Sequence, residues 1–129
     1  MNDNSGLNQY ELALWRALEK AGMLIMSISD LLSWPSVPAH VRATCNTYFA
    51  IVQRTQKSMQ IVYEKYRKTK DKERRRALAR LICTQGLELD PIARLLRTSY
   101  CLDHVPKGYL KDTFQNLELS TRPIDFPHD

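Results

Sequence analysis

Apolar residues recur along the first quarter of the chain at steps of three and four: Leu7, Tyr10, Leu14, Ala17, Ala21, Ile25, Ile28 and Leu32. That spacing returns a side chain to the same face at each turn of an α-helix. Leu12, Trp15 and Met26 widen the face, so this helix is expected to be the most buried one. Asn8 with Glu11 three residues on has the form of an N-cap and its capping-box partner. Trp34-Pro35-Ser36-Val37-Pro38 stops the pattern, because proline lacks the amide donor and restricts the residue before it. Pro38 suits the first turn of the helix that follows.

A second series, Val41, Cys45, Tyr48, Val52, Met59, Val62 and Tyr66, continues at helical spacing with one step of seven past Thr55. It predicts a helix over about 38–70, ~48 Å long at 1.5 Å per residue. Two long amphipathic helices joined by a short proline-bounded turn predict an antiparallel helical hairpin, 7–33 against 38–70. Lys70-Asp71-Lys72-Glu73 is the expected break after it. Ala77, Leu78, Leu81 and Ile82 predict a further helix ending at Gly86 as its C′ residue. Asp90-Pro91 then reads as N-cap and first helical position, with Ile92, Leu95, Leu96 and Ser99 as the inner face. Pro106-Lys107-Gly108 marks a turn, and Tyr109, Leu110 and Phe114 a last short helical piece. The fold expected is all-α: the long hairpin with two or three short helices packed on it. The boundaries are a disordered 1–6, one helical domain over 7–116, and an extended tail over 117–129 whose Ile124 and Phe126 can dock on the bundle. The long helices offer more apolar stripe than the short ones cover, which predicts a homo-oligomer, a homodimeric bundle being one form.

Composition narrows the class. A chain of 129 residues with 43% hydrophobic and 26% charged residues suits one globular domain, and four glycines with little strict alternation argue against an all-β fold. No uninterrupted apolar stretch reaches ~18 residues, so no membrane span and no membrane partner are expected. Three cysteines without a secretory signal fit free thiols in a reducing compartment, cytoplasmic or nuclear.

Charge changes the picture more. Residues 41–80 hold twelve Lys and Arg against Glu64, Asp71 and Glu73, a net +9, while the segments on either side are each −2. On one continuous helix Arg54, Lys57, Lys65, Lys68, Lys72 and Arg75 align along one side, away from the apolar series. The plainest account is a solvated face, with Glu64 and Lys68 as an ordinary i,i+4 pair. Twelve cations to three anions exceeds such a balance and points to a phosphate backbone, RNA or DNA, contacted without base readout. The residues expected to make the contact are Arg54, Lys57, Lys65, Lys68, Lys72, Arg74, Arg75 and Arg76. Tyr48 and Tyr66 fall on the apolar series and are expected in the core, leaving Tyr63 as the exposed aromatic. Few stacking aromatics favour duplex over single-stranded partners.

Three other readings are weighed beside it. A helical adaptor would use the same stripe to steer onto an acidic protein. A helix-turn-helix-like regulator would read bases with 102–111, but Arg97 stands where the tight turn usually has glycine, and Pro106 interrupts the reading helix. A metal site has only Cys101-Leu102-Asp103-His104, with Cys45, Cys83, His40 and His128 distant, where structural zinc shows two close pairs. No metal or cofactor is expected. No nucleophile elbow, glycine-rich phosphate loop or zinc-protease motif occurs, so the expectation is a non-enzymatic binding protein.

Overall fold

The computed structural model describes residues 5–102, 111–124 and 126, and these form five helices: α1 (Ser5–Ser33), α2 (Ala39–Lys68), α3 (Lys72–Leu87), α4 (Asp90–Leu102) and α5 (Lys111–Ser120). No β-strand occurs among the described residues, so the all-α class holds. Among them, too, no helix is long and apolar enough to cross a membrane.

α1 is the hub. It packs against α2, α3 and α5, and Tyr10, Ala13, Leu14, Ala17, Ala21, Leu24, Ile28 and Leu31 are all buried. The face that does this is narrower than the sequence suggests. Leu12, Trp15 and Met26 do not widen it; they are 51%, 47% and 58% exposed, with Trp15 leaning on the Tyr63 ring of α2. Small residues make the close packing: Ala17 meets α3 at Gly86, where a Cβ would lie 3.0 Å from the Ala17 Cβ and 3.4 Å from its Cα. Gly86 is therefore not a C′ residue. It sits inside α3, which runs one residue further, and it is glycine because two backbones approach there.

The second apolar series lies where its spacing places it. Val41, Cys45, Val52, Met59, Val62 and Tyr66 are buried, and Tyr48 is partly so. α2 ends at the expected break: Thr69 is extended, and Asp71 caps α3 by accepting a hydrogen bond from the Arg74 amide at 3.2 Å. α3 then turns back along α2, from Arg75 beside Tyr66 to Gln85, whose amide donates to the Ser58 hydroxyl at 2.6 Å. The reversal splits the expected basic stripe, because Lys72 and Arg75 belong to a different helix from Lys68.

Several boundaries shift. Asn8 lies inside α1, since no proline stops the helix from starting at Ser5; of the expected disordered 1–6, residues 1–4 lie outside the described residues. Pro38 occupies the cap position with ψ 145°, one residue before α2. Asp90 is already within the first turn of α4, and its carboxylate is taken by the Lys20 ammonium instead of capping. Leu95 faces solvent, its place on the inner face held by Leu89 and Ala93; the side chain of Ser99 is outside the described residues. Tyr109 and Leu110 lie outside them as well. α5 runs to Ser120 because Leu117 and Ser120 are buried against the bundle, so the extended tail begins four residues later than expected.

The tail segment does dock. Phe126 lies 4.8 Å from the Tyr10 ring, Ile124 packs near Gly86, and Lys20, only 3% exposed, donates to the Arg122 carbonyl at 2.8 Å. Lys20 thus joins α1, α4 and the tail through one buried ammonium. Replacing Gly86 with Ala should destabilise the fold by ~1–3 kcal/mol, because Ala17 is helix backbone and cannot turn aside. Gly22→Ala should instead stabilise it by ~0.5–1 kcal/mol, as the new methyl meets only the Gln56 amide, 3.9 Å away. Urea unfolding of the two variants checks the opposite signs.

Candidate nucleic-acid interface

The expected site residues divide into two groups. Arg54, Lys57, Lys65 and Lys68 are exposed on one side of α2, and Lys72 and Arg74 are exposed in the first turn of α3. Among the described residues none of these six side chains has an ion-pair or hydrogen-bond partner. Glu64 pairs with Arg67 at 3.2 Å instead of with Lys68, which leaves Lys68 unneutralised.

The others are engaged within the chain. Arg75 is partly buried and reaches back over the turn: its Nη1 donates to the carbonyls of Tyr66 at 3.2 Å and Thr69 at 2.9 Å. Its guanidinium also lies 4.1 Å above the Tyr66 ring. These bonds tie down the end of α2, where the Tyr66 carbonyl also accepts from the Thr69 amide, and place a cation at the negative end of its dipole. Arg75 is thus a clamp on the α2–α3 turn, and only part of its charge faces outward. Arg76 is exposed but lies over the Tyr10 ring at 4.8 Å, and Arg80 over Phe126 at 5.2 Å. Arg42 repeats the Arg75 device one turn earlier in the chain, donating to the Leu32 and Trp34 carbonyls at 3.4 and 3.3 Å across the end of α1. Two of the twelve cations in the basic segment are therefore explained by helix ends.

Helix electrostatics sorts the rest. Lys65, Arg67 and Lys68 stand in the last turn of α2, where the macrodipole favours cations. Lys72 and Arg74 stand in the first turn of α3, where it disfavours them by ~0.3–1 kcal/mol each. Their position is not one that helix stability selects. An anion brought to that helix start would meet both side chains, next to the Asp71 carboxylate that already caps the helix and Glu73 in its first turn.

From Arg54 to Lys68 the cationic side of α2 spans ~21 Å. Beside it a solvent-open hollow of about 380 Å³ is lined by Gln53, Arg54, Gln56, Lys57 and Gln60. The three glutamines add amide donors suited to phosphate or sugar oxygens, and Lys70 adds a cation in the turn. Their three- and four-residue spacing beside Arg54 and Lys57 was the available signal in the sequence for these glutamines. Ile61 is exposed in the middle of the cationic side.

Tyr63 is not the exposed aromatic. It is partly buried between Trp15, 5.0 Å away, and Tyr66, 6.2 Å away, because α1 passes over it. Burial pushes the Tyr66 phenol above its ordinary pKa, and the Arg75 guanidinium beside it holds it partly down. α4 continues without a break through Arg97 to Leu102, and most of the expected base-reading stretch, 103–110, lies outside the described residues. The Cys101 side chain and His104 lie outside them too, as does His128. Among the described residues no group of three or more His, Cys, Asp or Glu is placed to hold a metal ion. Cys45 and Cys83 are buried free thiols, each pushed by burial to about 11, with Arg42 drawing Cys45 partly back.

No protein-family model, curated protein or solved structure matches the chain.

Arg75→Ala should destabilise the protein by ~1–3 kcal/mol through the lost carbonyl bonds and ring contact. Lys68→Ala should change stability by less than ~0.5 kcal/mol, a contrast that thermal unfolding at matched pH resolves. The buried thiols stay neutral in the fold, so the stability they contribute is complete below the unfolded thiol range. It is lost as pH rises from about 9 toward 11. Iodoacetamide at pH 8 should accordingly leave Cys45 and Cys83 unmodified in native protein and label both in urea, as peptide mass mapping would reveal.

Proposed function

We propose that this protein binds nucleic acid without catalysing a reaction, holding the phosphate backbone through exposed cations and largely ignoring base sequence. The observation that carries this reading is the set of six unpartnered cations, Arg54, Lys57, Lys65, Lys68, Lys72 and Arg74, two of them at a helix start that disfavours positive charge. Arg76 and the outward part of Arg75 extend the surface. A duplex, RNA or DNA, suits it better than a single strand: the aromatics nearest the cations, Tyr63 and Tyr66, are packed inside the bundle and offer no stacking platform.

The proposal includes an architecture for the surface. α1 and α2 form an antiparallel hairpin, supported by the contacts Trp15–Tyr63 and Gly22–Gln56, whose residue numbers run in opposite directions. The protein self-associates, supported by the uncovered apolar side chains of α1. A reducing intracellular compartment accords with the two buried free thiols.

A second reading, docking on an acidic protein, is favoured by one detail: Ile61 is 57% exposed within the cationic side of α2. An apolar side chain among cations fits an acidic surface with an apolar centre better than it fits a phosphate backbone.

Fluorescence anisotropy of labelled duplex RNA, duplex DNA and single strands, titrated at two salt concentrations, separates the readings. Backbone binding predicts that log K falls linearly with log salt, by ~0.9 per phosphate contacted, for unrelated sequences alike. Reversing Lys65, Lys68 and Lys72 to Glu should abolish tight binding and flatten that slope by ~3, with the helical content unchanged. Arg75 is kept out of this variant because it clamps a turn. Absence of binding at low salt, or full affinity in the triple variant, would sink the nucleic-acid reading.

A further inference from the structure

The outward face of α1 has an order that the bundle does not use. Gln9, Leu12, Arg16, Glu19, Met23 and Met26 follow one another at steps of three, four, three, four and three, the spacing of a coiled-coil seam. All are exposed except Met23, which is partly so, and half-exposed Trp15 flanks them. Neither Arg16 nor Glu19 has an ion-pair or hydrogen-bond partner among the described residues. Exposed apolar side chains in one row, Leu12 and Met26 with partly exposed Met23 and Trp15 beside them, are the kind of surface that interfaces bury. Only one cation stands in this row, which sets it apart from the side of the molecule proposed to meet phosphate.

We infer that this face is a docking surface for a second copy of the same chain, α1 against α1 in opposite directions. Charge complementarity within one sequence selects this occupant. When α1 is laid against its own copy about a two-fold axis passing midway between Arg16 and Glu19, each Arg16 faces the Glu19 of the other copy. Leu12 then faces Met23, and Gln9 faces Met26, each twice. These are the a-to-d layers that an antiparallel pair of helices forms, and a two-fold contact repeats every one of them. A parallel pairing would set Arg16 against Arg16 and Glu19 against Glu19, so the two charges also choose the direction. The self-association proposed above is given a surface here, and the nucleic-acid reading is independent of it.

The seam from Leu12 to Met26 is ~21 Å long, which places the contact among weak interfaces. Sedimentation velocity of the full chain over ~1–200 µM should show a monomer–dimer equilibrium. Arg16→Glu alone, or Glu19→Arg alone, should raise the dissociation constant at least ~10-fold, because each creates two like-charge contacts. An equimolar mixture of the two variants should restore the dimer, since their faces are then oppositely charged at both positions. Both side chains are exposed and unpartnered, so circular dichroism should stay that of the unaltered chain. A dimer indifferent to either reversal overturns this surface while leaving self-association standing. A monomer at every concentration overturns both, and directs the face toward a different protein.

Discussion

Each helix end leaves carbonyls without a partner in its own helix, and in a bundle of short turns those carbonyls fall next to other chains of packed side chains. Here the first two connections meet the constraint in the same way. The fourth residue of the next helix is an arginine that reaches back over the turn, Arg42 to the end of α1 and Arg75 to the end of α2. Each guanidinium donates to two carbonyls, one of which also accepts a turn amide, and sets a positive charge at the negative end of a helix dipole. With those ends held, α2 and α3 pack against α1 and against each other, and the inner face of α1 is covered. The close approach of Ala17 to Gly86 and the Lys20 ammonium shared by Asp90 and the Arg122 carbonyl then fix how α3, α4 and the tail sit on that hub.

Much of this was legible in the sequence. Periodicity located the two long helices to within a few residues, and the second apolar series is the buried face of α2. The docking of Ile124 and Phe126 was legible as well, from two apolar residues in an otherwise polar tail. What the pattern could not carry is which apolar residue finds a neighbour. Leu12, Trp15, Met26 and Leu95 lie within reach of an amphipathic face, but burial depends on where the next helix passes, and that is tertiary information. Gly86 misled for a related reason: a glycine that permits close approach and a glycine that ends a helix look alike in one dimension.

The charged segment was legible as composition and only partly as geometry. Counting its cations identified an unusual surface, but the stripe was drawn on a continuous helix, and the turn at Thr69–Asp71 divides it. Nor does counting tell a clamp from a free charge. Arg42 and Arg75 have carbonyl partners, Arg76 and Arg80 lie over rings, and the side chains of Lys68 and Lys72 have no such partner among the described residues. A cation's meaning follows from what it touches. The structure therefore presents two distinct outward faces: a cationic one on α2 and the start of α3, and an apolar one on α1 that also carries Arg16 and Glu19. The proposed binding of a polyanion and the proposed association of copies draw on different residues, so each can be tested without disturbing the other.

The docking of residues 122–124 and Phe126 on the bundle has a consequence for synthesis. Tyr10 leaves the ribosome early, yet its ring partner Phe126 is made 116 residues later. At ~5–20 residues per second the buried side of α1 waits ~6–23 s for the last of its cover. During that interval a nascent chain presents the apolar side of its first helix with α3 only partly able to seat on it. The hub of the finished molecule is thus the part most in need of protection while the molecule is being made.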